Sequence, residues 1–226
     1  MLSIVVPTLN AAASLGRVLE SVSENELVGE VIVVDGGSTD VSVAIASRFD
    51  VVVISSEAGR GQQLAAGAAI ARHDWFLFLH GDSVMKEGWQ SAVISFMRDE
   101  ANTRRAGHFI LHYDDANWRA RFLERIVMWR SRVLGLPYGD QGLLISKDFY
   151  ERLNGFKAIS IMEDVEFVRR IGRRRIVGLQ AVIETSARRY HRSGYILRVA
   201  RNLTCLVLFF FGLAPKRIER IYGRDE

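Results

Sequence analysis

Four short apolar runs, each followed by a polar or glycine-rich loop, constrain this chain more than any other feature. They are Leu2–Val6 (LSIVV), Glu30–Val34 (EVIVV), Val51–Ile54 (VVVI) and Trp75–Leu79 (WFLFL). All four read as strands, the first as a buried one and the wholly apolar Phe76–Leu79 of the fourth as one buried on both faces. Between them, Ala11–Val22 places Leu15, Val18, Leu19 and Val22 at helical spacing, Val41–Phe49 is helix-like, and Leu64–Ala71 is an Ala-rich helix. Strand and helix alternating at this rhythm predict an α/β fold, with a mostly parallel sheet and helices on both faces. Pro7 ends the first run, so PTLN reads as a loop.

Ligands of such sheets bind beyond the carboxyl ends of the strands. Thr8 and Asn10 follow the first run, Asp35 opens DGGSTD after the second, EAGRG (Glu57–Gly61) follows the third, and His80-Gly81-Asp82 the fourth. Asp35 is placed to accept from a base ring or a ribose hydroxyl. Arg60 is placed to approach a diphosphate, with Gly59 and Gly61 admitting it closely. Asp82, with Gly81 giving the backbone room, suits a hard cation that holds a phosphorylated ligand. Taken singly, each is an ordinary turn residue: Asp82 reads equally as a turn cap, and Thr39 or Asp40 as helix caps. Four such loops on one edge favour a nucleotide site. GGSTD lacks the spaced glycines of a dinucleotide fold, and no phosphate loop ending in Gly-Lys-Ser/Thr is present, which argues against NAD binding and ATP hydrolysis.

The chain's 226 residues, 49% of them hydrophobic, suffice for one well-packed domain with a small appendage. A lone Cys205 excludes an internal disulfide and fits a reducing, cytoplasmic setting. No basic leader precedes Leu2, so no signal peptide is expected. The net charge is +4, and basic residues gather late, at Arg169, Arg170, Arg173, Arg174, Arg175, Arg188, Arg189 and Arg192. Such a cluster serves phosphate, nucleic acid or an anionic membrane face, or is simply solvated. No nucleic-acid recognition module accompanies it.

Ala106–Tyr113 reads as a further strand, with His108 and His112 on one face as a substrate-side or exposed pair rather than metal ligands. Asn117–Leu134 reads as a helix with Trp118, Phe122, Ile126, Trp129 and Val133 in one stripe. Arg121, Arg125 and Arg132 flank it on one side, and Arg119 and Arg130 on the other. Two accounts stand: a helix lying at a membrane interface, or a core-packed helix with snorkelling arginines. Within Tyr195–Leu213, the uncharged run Leu203–Leu213 is too short to span a bilayer, which takes about 20 residues. A buried helix, an interfacial segment and a homodimer contact are its open uses. The expectation is peripheral attachment to the inner membrane face, with a lipid-linked or hydrophobic acceptor.

The segments IVVPTLN, VIVVDGGSTD, GRGQQLAAGAAIA and FLFLHGDS, followed by GDQGLLISKDFYERLNGF and IMEDVEF, resemble those of family 2 glycosyltransferases in order and spacing. The likeness covers roughly residues 2–190 and is greatest to the small single-domain members. It implies a GT-A (Rossmann-like) fold over residues 1–192, with a nucleotide-sugar half at about 1–105 and an acceptor half at about 106–192. Residues 193–226 would add a hydrophobic and basic helical segment. It further implies an inverting transfer from a nucleotide-diphosphate sugar to an acceptor hydroxyl, assisted by Mn2+ or Mg2+. Pro7, Thr8, Asn10, Asp35 and Gly81 would contact the nucleotide, with Arg60 near its diphosphate. Asp82 matches the last acid of the family's metal motif, and Asp164 its general base, with Glu163 orienting or capping beside it. The motif's first acid is replaced by His80, and the family's Gln/Arg-x-x-Arg-Trp is absent; Ala187-Arg188-Arg189-Tyr190-His191 stands in that region. His191 is then either a further metal ligand or a surface histidine. Two other readings remain: a sugar-phosphate nucleotidyltransferase, whose Gly-rich first loop PTLN lacks, and a sugar-nucleotide-binding protein without catalysis.

Overall fold

Alternate residues of the first apolar run enter different cores. Leu2, Ile4 and Val6 pack on one side of the sheet and Val5 on the other; Val31 and Val33 oppose Ile32 and Val34 in the same way, and Leu77 opposes Phe76 and Phe78. That double burial is why these strands carry no polar alternation. The computed structural model describes residues 1–23 and 25–223. Among them one eight-stranded sheet has the order β3-β2-β1-β4-β7-β6-β8-β5. Its strands are β1 (Leu2–Thr8), β2 (Val28–Asp35), β3 (Val52–Ser55), β4 (Trp75–Phe78), β5 (Ser83–Met85), β6 (Ala106–Tyr113), β7 (Leu143–Ser146) and β8 (Ile176–Thr185). Only β7 and β5 run against their neighbours.

Strand β1 continues through Pro7, correcting the expected loop. Its pairing with β4 stops at Val5–Phe78, whereas pairing with β2 extends to Thr8–Asp35. The Val5 carbonyl faces β4, accepting from Leu79 N. By strand alternation the missing N–H of Pro7 therefore faces the β4 side, where the ladder has already ended.

On one face lie α1 (Leu15–Ser23), α4 (Trp89–Arg98) and α5 (Trp118–Trp129); on the other lie α3 (Arg60–Ile70), α6 (Lys147–Arg152) and α7 (Glu163–Ile171). The short α2 (Ser42–Ala46) follows β2, and α8 (Arg188–Ser193), α9 (Tyr195–Phe210) and α10 (Pro215–Tyr222) close the described chain. Gly61 serves packing rather than ligand access. A Cβ there would lie 2.2 Å from the Lys157 carbonyl oxygen, and its N–H already donates to Ile159 O. The α3 N-terminus is thus pressed against the loop leading into α7.

Helix α5 buries Ala120, Leu123 and Val127. The predicted stripe faces outward instead, with Trp118 71%, Phe122 57%, Ile126 42%, Trp129 56% and Val133 38% exposed. The core-packed account of this stripe is therefore set aside. Helix α9 is divided lengthwise: Cys205 is fully buried against Ile161 and Ile218, while Leu203, Val207 and Phe210, and Phe211 just past the helix, are exposed. The start of α9 is tied to the start of α5 by Tyr195 Oη donating to Asp115 Oδ2 at 2.5 Å. At its far end Phe210 lies under the Arg169 guanidinium, and Gly135, past α5, abuts Arg173. Both helices thus present an apolar stripe to solvent. Among the described residues no helix is long and apolar enough to cross a membrane.

Candidate active site

A cleft opens between the carboxyl end of the sheet and the last helices. Arg60, His80, Asp82, Tyr113, Tyr138, Asp140, Asp164, Tyr190, Arg198, Asn202 and Tyr222 are among its lining side chains. It brings together three residues expected from the sequence: Arg60, Asp82 and Asp164.

Asp164 is in the first turn of α7, where the positive end of the helix dipole favours a carboxylate. Its Oδ1 accepts from Val165 N at 2.7 Å, and its Oδ2 from Gly139 N at 2.8 Å. Two backbone donors thus hold one carboxylate in a fixed pose at the cleft wall. The helix begins at Glu163, after Met162 at a φ of 63°. That left-handed residue is one that a bulky side chain adopts only under external constraint, here the packing of Met162 against the α9–α10 core.

Glu163 is buried, and neither carboxyl oxygen has a hydrogen-bond partner among the described residues. Its nearest countercharge is Arg60 Nη1 at 3.8 Å. Burial first, then the charge of Asp164, push its pKa up to about 8 against the pull of Arg60. Burial alone would lower the Arg60 pKa, but Glu163, Tyr222, Asp164 and Asp82 outweigh it and keep the guanidinium charged. Because the carboxyl titrates near its ordinary 4.5 when unfolded, the folded state holds this proton longer. Its stabilising contribution is present in full below about 4.5 and is lost as pH rises through about 8. We expect Glu163→Gln to flatten the fall in stability between pH 5 and 9, read from urea midpoints; an unchanged slope would contradict this burial. Some slope remains from Asp140, which burial first, and then Asp164 and Asp82, raise to about 6 against the opposing pull of Arg130.

Asp82 is the only acid of His80-Gly81-Asp82. The His80 ring packs on Gly139, where a Cβ would lie 2.3 Å from Nε2. Among the described residues no three His, Cys, Asp or Glu side chains are placed to hold an ion together. This donor set fits a hard divalent cation that brings phosphate oxygens and water as its other ligands, not a caged metal.

The remaining expected residues lie outside the cleft lining. Thr8 is buried, and the Asp35 carboxylate accepts from Gly37 N and Ser38 N of its own turn. Asn10 braces the same turn, accepting from Thr39 N through Oδ1 and donating from its own N to Ser38 Oγ. Gln63 Nε2 donates to the carbonyls of Thr8 and Val34, tying β1 to β2. Ser14 Oγ donates to Gly81 O, so Pro7, Thr8, Asn10, Asp35 and Gly81 form one braced edge beside the cleft. His191 is not brought to Asp82: its Nε2 is 3.3 Å from Asp115 Oδ2, in a separate groove with Asp114, Ser186 and Arg188. The expected His108 and His112 pair splits, with His108 buried against Gln141 and His112 exposed. Of the late arginines, Arg170 is engaged by Glu166 and the carbonyls of Leu153 and Gly155. The side chains of Arg189 and Arg192 lie outside the described residues.

Sequence reasoning missed Tyr113, Tyr138, Asp140, Tyr190, Arg198, Asn202 and Tyr222. Arg198 is buried and donates to Tyr222 Oη at 2.6 Å; Tyr190 Oη pairs with Tyr113 Oη at 3.2 Å. Aromatic walls with a few fixed polar groups suit a sugar or other polyhydroxylated ligand. Only the GDQ turn, a Gly-Asp-Gln just before an apolar run, offered a local signal.

The sheet, with acids and an arginine converging beyond its strand ends, has the GT-A fold of the solved structures it superposes on. The profile of Glycosyl transferase family 2 matches residues 3–164, and the chain belongs to that family. A Mycobacterium bovis "PGL/p-HBAD biosynthesis glycosyltransferase" is 31% identical over 142 residues, covering 58% of this chain and 56% of that protein. An "Uncharacterized glycosyltransferase" of Haemophilus influenzae is 26% identical over 182 residues, covering 74% of this chain and 60% of that protein. The chain therefore spans somewhat over half the length of these relatives. Among solved structures, the mannosyltransferase PcManGT of Pyrobaculum calidifontis, in complex with GDP-Man and Mn2+, superposes with a TM-score of 0.69 at 18% identity, covering 98% of this chain and 67% of that one. Glucosyl-3-phosphoglycerate synthase of Mycobacterium tuberculosis, with Mn2+ and UDP, gives 0.57 at 20%, covering 82% and 70%.

Proposed function

We propose that this protein transfers a sugar, with inversion, from a nucleotide-diphosphate sugar to a hydroxyl of a lipid-linked or hydrophobic acceptor at a membrane surface. The observation that carries the reading is Asp164, fixed by two backbone donors in the same cleft as Arg60 and Asp82. Residues 1–105 would hold the donor and 106–192 the acceptor, with 193–226 closing the cleft. The acceptor oxygen attacks the anomeric carbon as Asp164 takes its proton. The bond from that carbon to the diphosphate oxygen breaks on the opposite side, and Arg60 faces the charge that develops there. A divalent cation at Asp82, Mn2+ or Mg2+, would neutralise further charge on the leaving diphosphate.

The outward stripes of α5 and α9 carry the acceptor class. Trp118 and Trp129 with arginines on the margins form an interfacial surface; α9 lines the cleft through Arg198 and Asn202, and Tyr113 and Tyr138, which precede and follow α5 in the chain, line it as well. Assays with UDP-, GDP- and dTDP-sugars and long-chain alcohol or polyprenyl-phosphate acceptors test this reading. Acceptor-dependent release of a nucleoside diphosphate, with inverted configuration in the product, is the expected result. A product of retained configuration, or no transfer from any donor, would overturn it.

A further inference from the structure

Asp140 lines the cleft, yet no step of the transfer uses it. Its Oδ1 is buried and has no hydrogen-bond partner among the described residues. Leaving a buried acceptor without a donor is destabilising, so a residue kept this way calls for a ligand that supplies the missing donor. The turn that carries it, Gly139–Gln141, is rigid. Gln141 is fully buried, and its Oε1 accepts from Ser131 Oγ at 2.7 Å, Arg130 Nη2 at 3.3 Å and Tyr138 N at 3.3 Å. Its Nε2 donates to Phe109 O at 3.2 Å. Gly139 of the same turn holds Asp164. Arg130 does not quench Asp140 by a hydrogen bond, because its donors go to Leu136 O and Gln141, and its plane stacks on Tyr138.

Asp140 lines the cleft together with Asp82, at the diphosphate end, and Asp164, at the acceptor end, and feels the charge of both. The group that spans those ends during transfer is the sugar itself. Three carboxylates would repel a phosphate but accept from hydroxyls. Resting on the transferase reading above, we infer that Asp140 accepts a hydrogen bond from a ring hydroxyl of the transferred sugar and helps select which sugar is transferred. A site built to bond a hydroxyl rejects analogues that lack it far more strongly than one that merely tolerates it.

The test uses Asp140→Ala and the near-isosteric Asp140→Asn, both checked for wild-type melting. Calorimetry is run with Mn2+ and the free nucleoside diphosphate that the wild type binds. Turnover is then measured with the intact donor and with donors lacking one ring hydroxyl each. The expected result is an unchanged affinity for the free diphosphate and a rise of at least tenfold in donor KM for Asp140→Ala. One deoxy donor should also be tenfold worse for the wild type and no worse than the parent donor for the variant. Loss of Mn2+-dependent diphosphate binding would make Asp140 a metal ligand and overturn the inference. Equal penalties on every deoxy donor in both proteins would overturn it as well. A wild type that binds no nucleotide instead removes the transferase reading on which it rests.

Discussion

Asp164→Asn is expected to lower kcat about 10²- to 10⁴-fold, the usual share of a positioned base, while nucleoside diphosphate binding stays at the wild-type level. The geometry makes the substitution clean. Both oxygens of Asp164 accept from backbone N–H groups, of Val165 and Gly139, and an Asn oxygen keeps one of those bonds. The other donor then faces an amide NH2, at a cost of order 1 kcal/mol in stability. That is small beside the loss of turnover, since an amide cannot take the acceptor's proton. Equal loss of diphosphate binding and turnover would move Asp164 from proton transfer to donor binding. Retained turnover would remove it from the chemistry.

The second large effect concerns α5. Trp118, Phe122 and Trp129 contact little of the protein, so replacing all three by Ser should leave the melting temperature nearly unchanged, as surface substitutions do. Vesicle binding should fall steeply. Each large apolar side chain withdrawn from water contributes about 1.5–3 kcal/mol, so losing three weakens partition by two or more powers of ten. The wild type should co-sediment with anionic vesicles, less at high salt because the flanking arginines contribute through screened charge. Wild-type protein that stays in the supernatant, or a triple variant that binds equally well, contradicts the membrane reading. A concentration-dependent dimer lost in the variant would assign the stripe to a second copy instead.

The strands that the sequence made legible were apolar runs: β1, β2, β4 and β6, which are largely buried, and the edge strand β3, which is apolar though half-exposed. β5 has three residues and exists only by pairing with β8, so nothing local marks it. β7 is a four-residue strand inserted between β4 and β6, a placement set by pairing with segments far away in the chain, such as Trp75 with Ser146 and Ala106 with Ile145. Pro7 misled because a proline is compatible with a strand whose neighbour ends early. At the site, Arg60, Asp82 and Asp164 were legible because each stands at a strand or helix end beside a glycine or an acid pair. Tyr190, Arg198, Asn202 and Tyr222 were not, because no local pattern encodes how their helices pack, α8 through Tyr190 against the sheet core and α9 and α10 over Ile161 and Met162. Gly61 was readable as permissive, but its neighbour proved to be the Lys157 backbone rather than a ligand.

Calorimetric titration of UDP and of GDP into the protein, with and without Mn2+, tests the central claim most directly. A cleft with Arg60 and a single metal-motif acid, Asp82, predicts that one of the two nucleotides binds and that Mn2+ tightens it at least tenfold. Binding of neither nucleotide under either condition would contradict a nucleotide-sugar transferase.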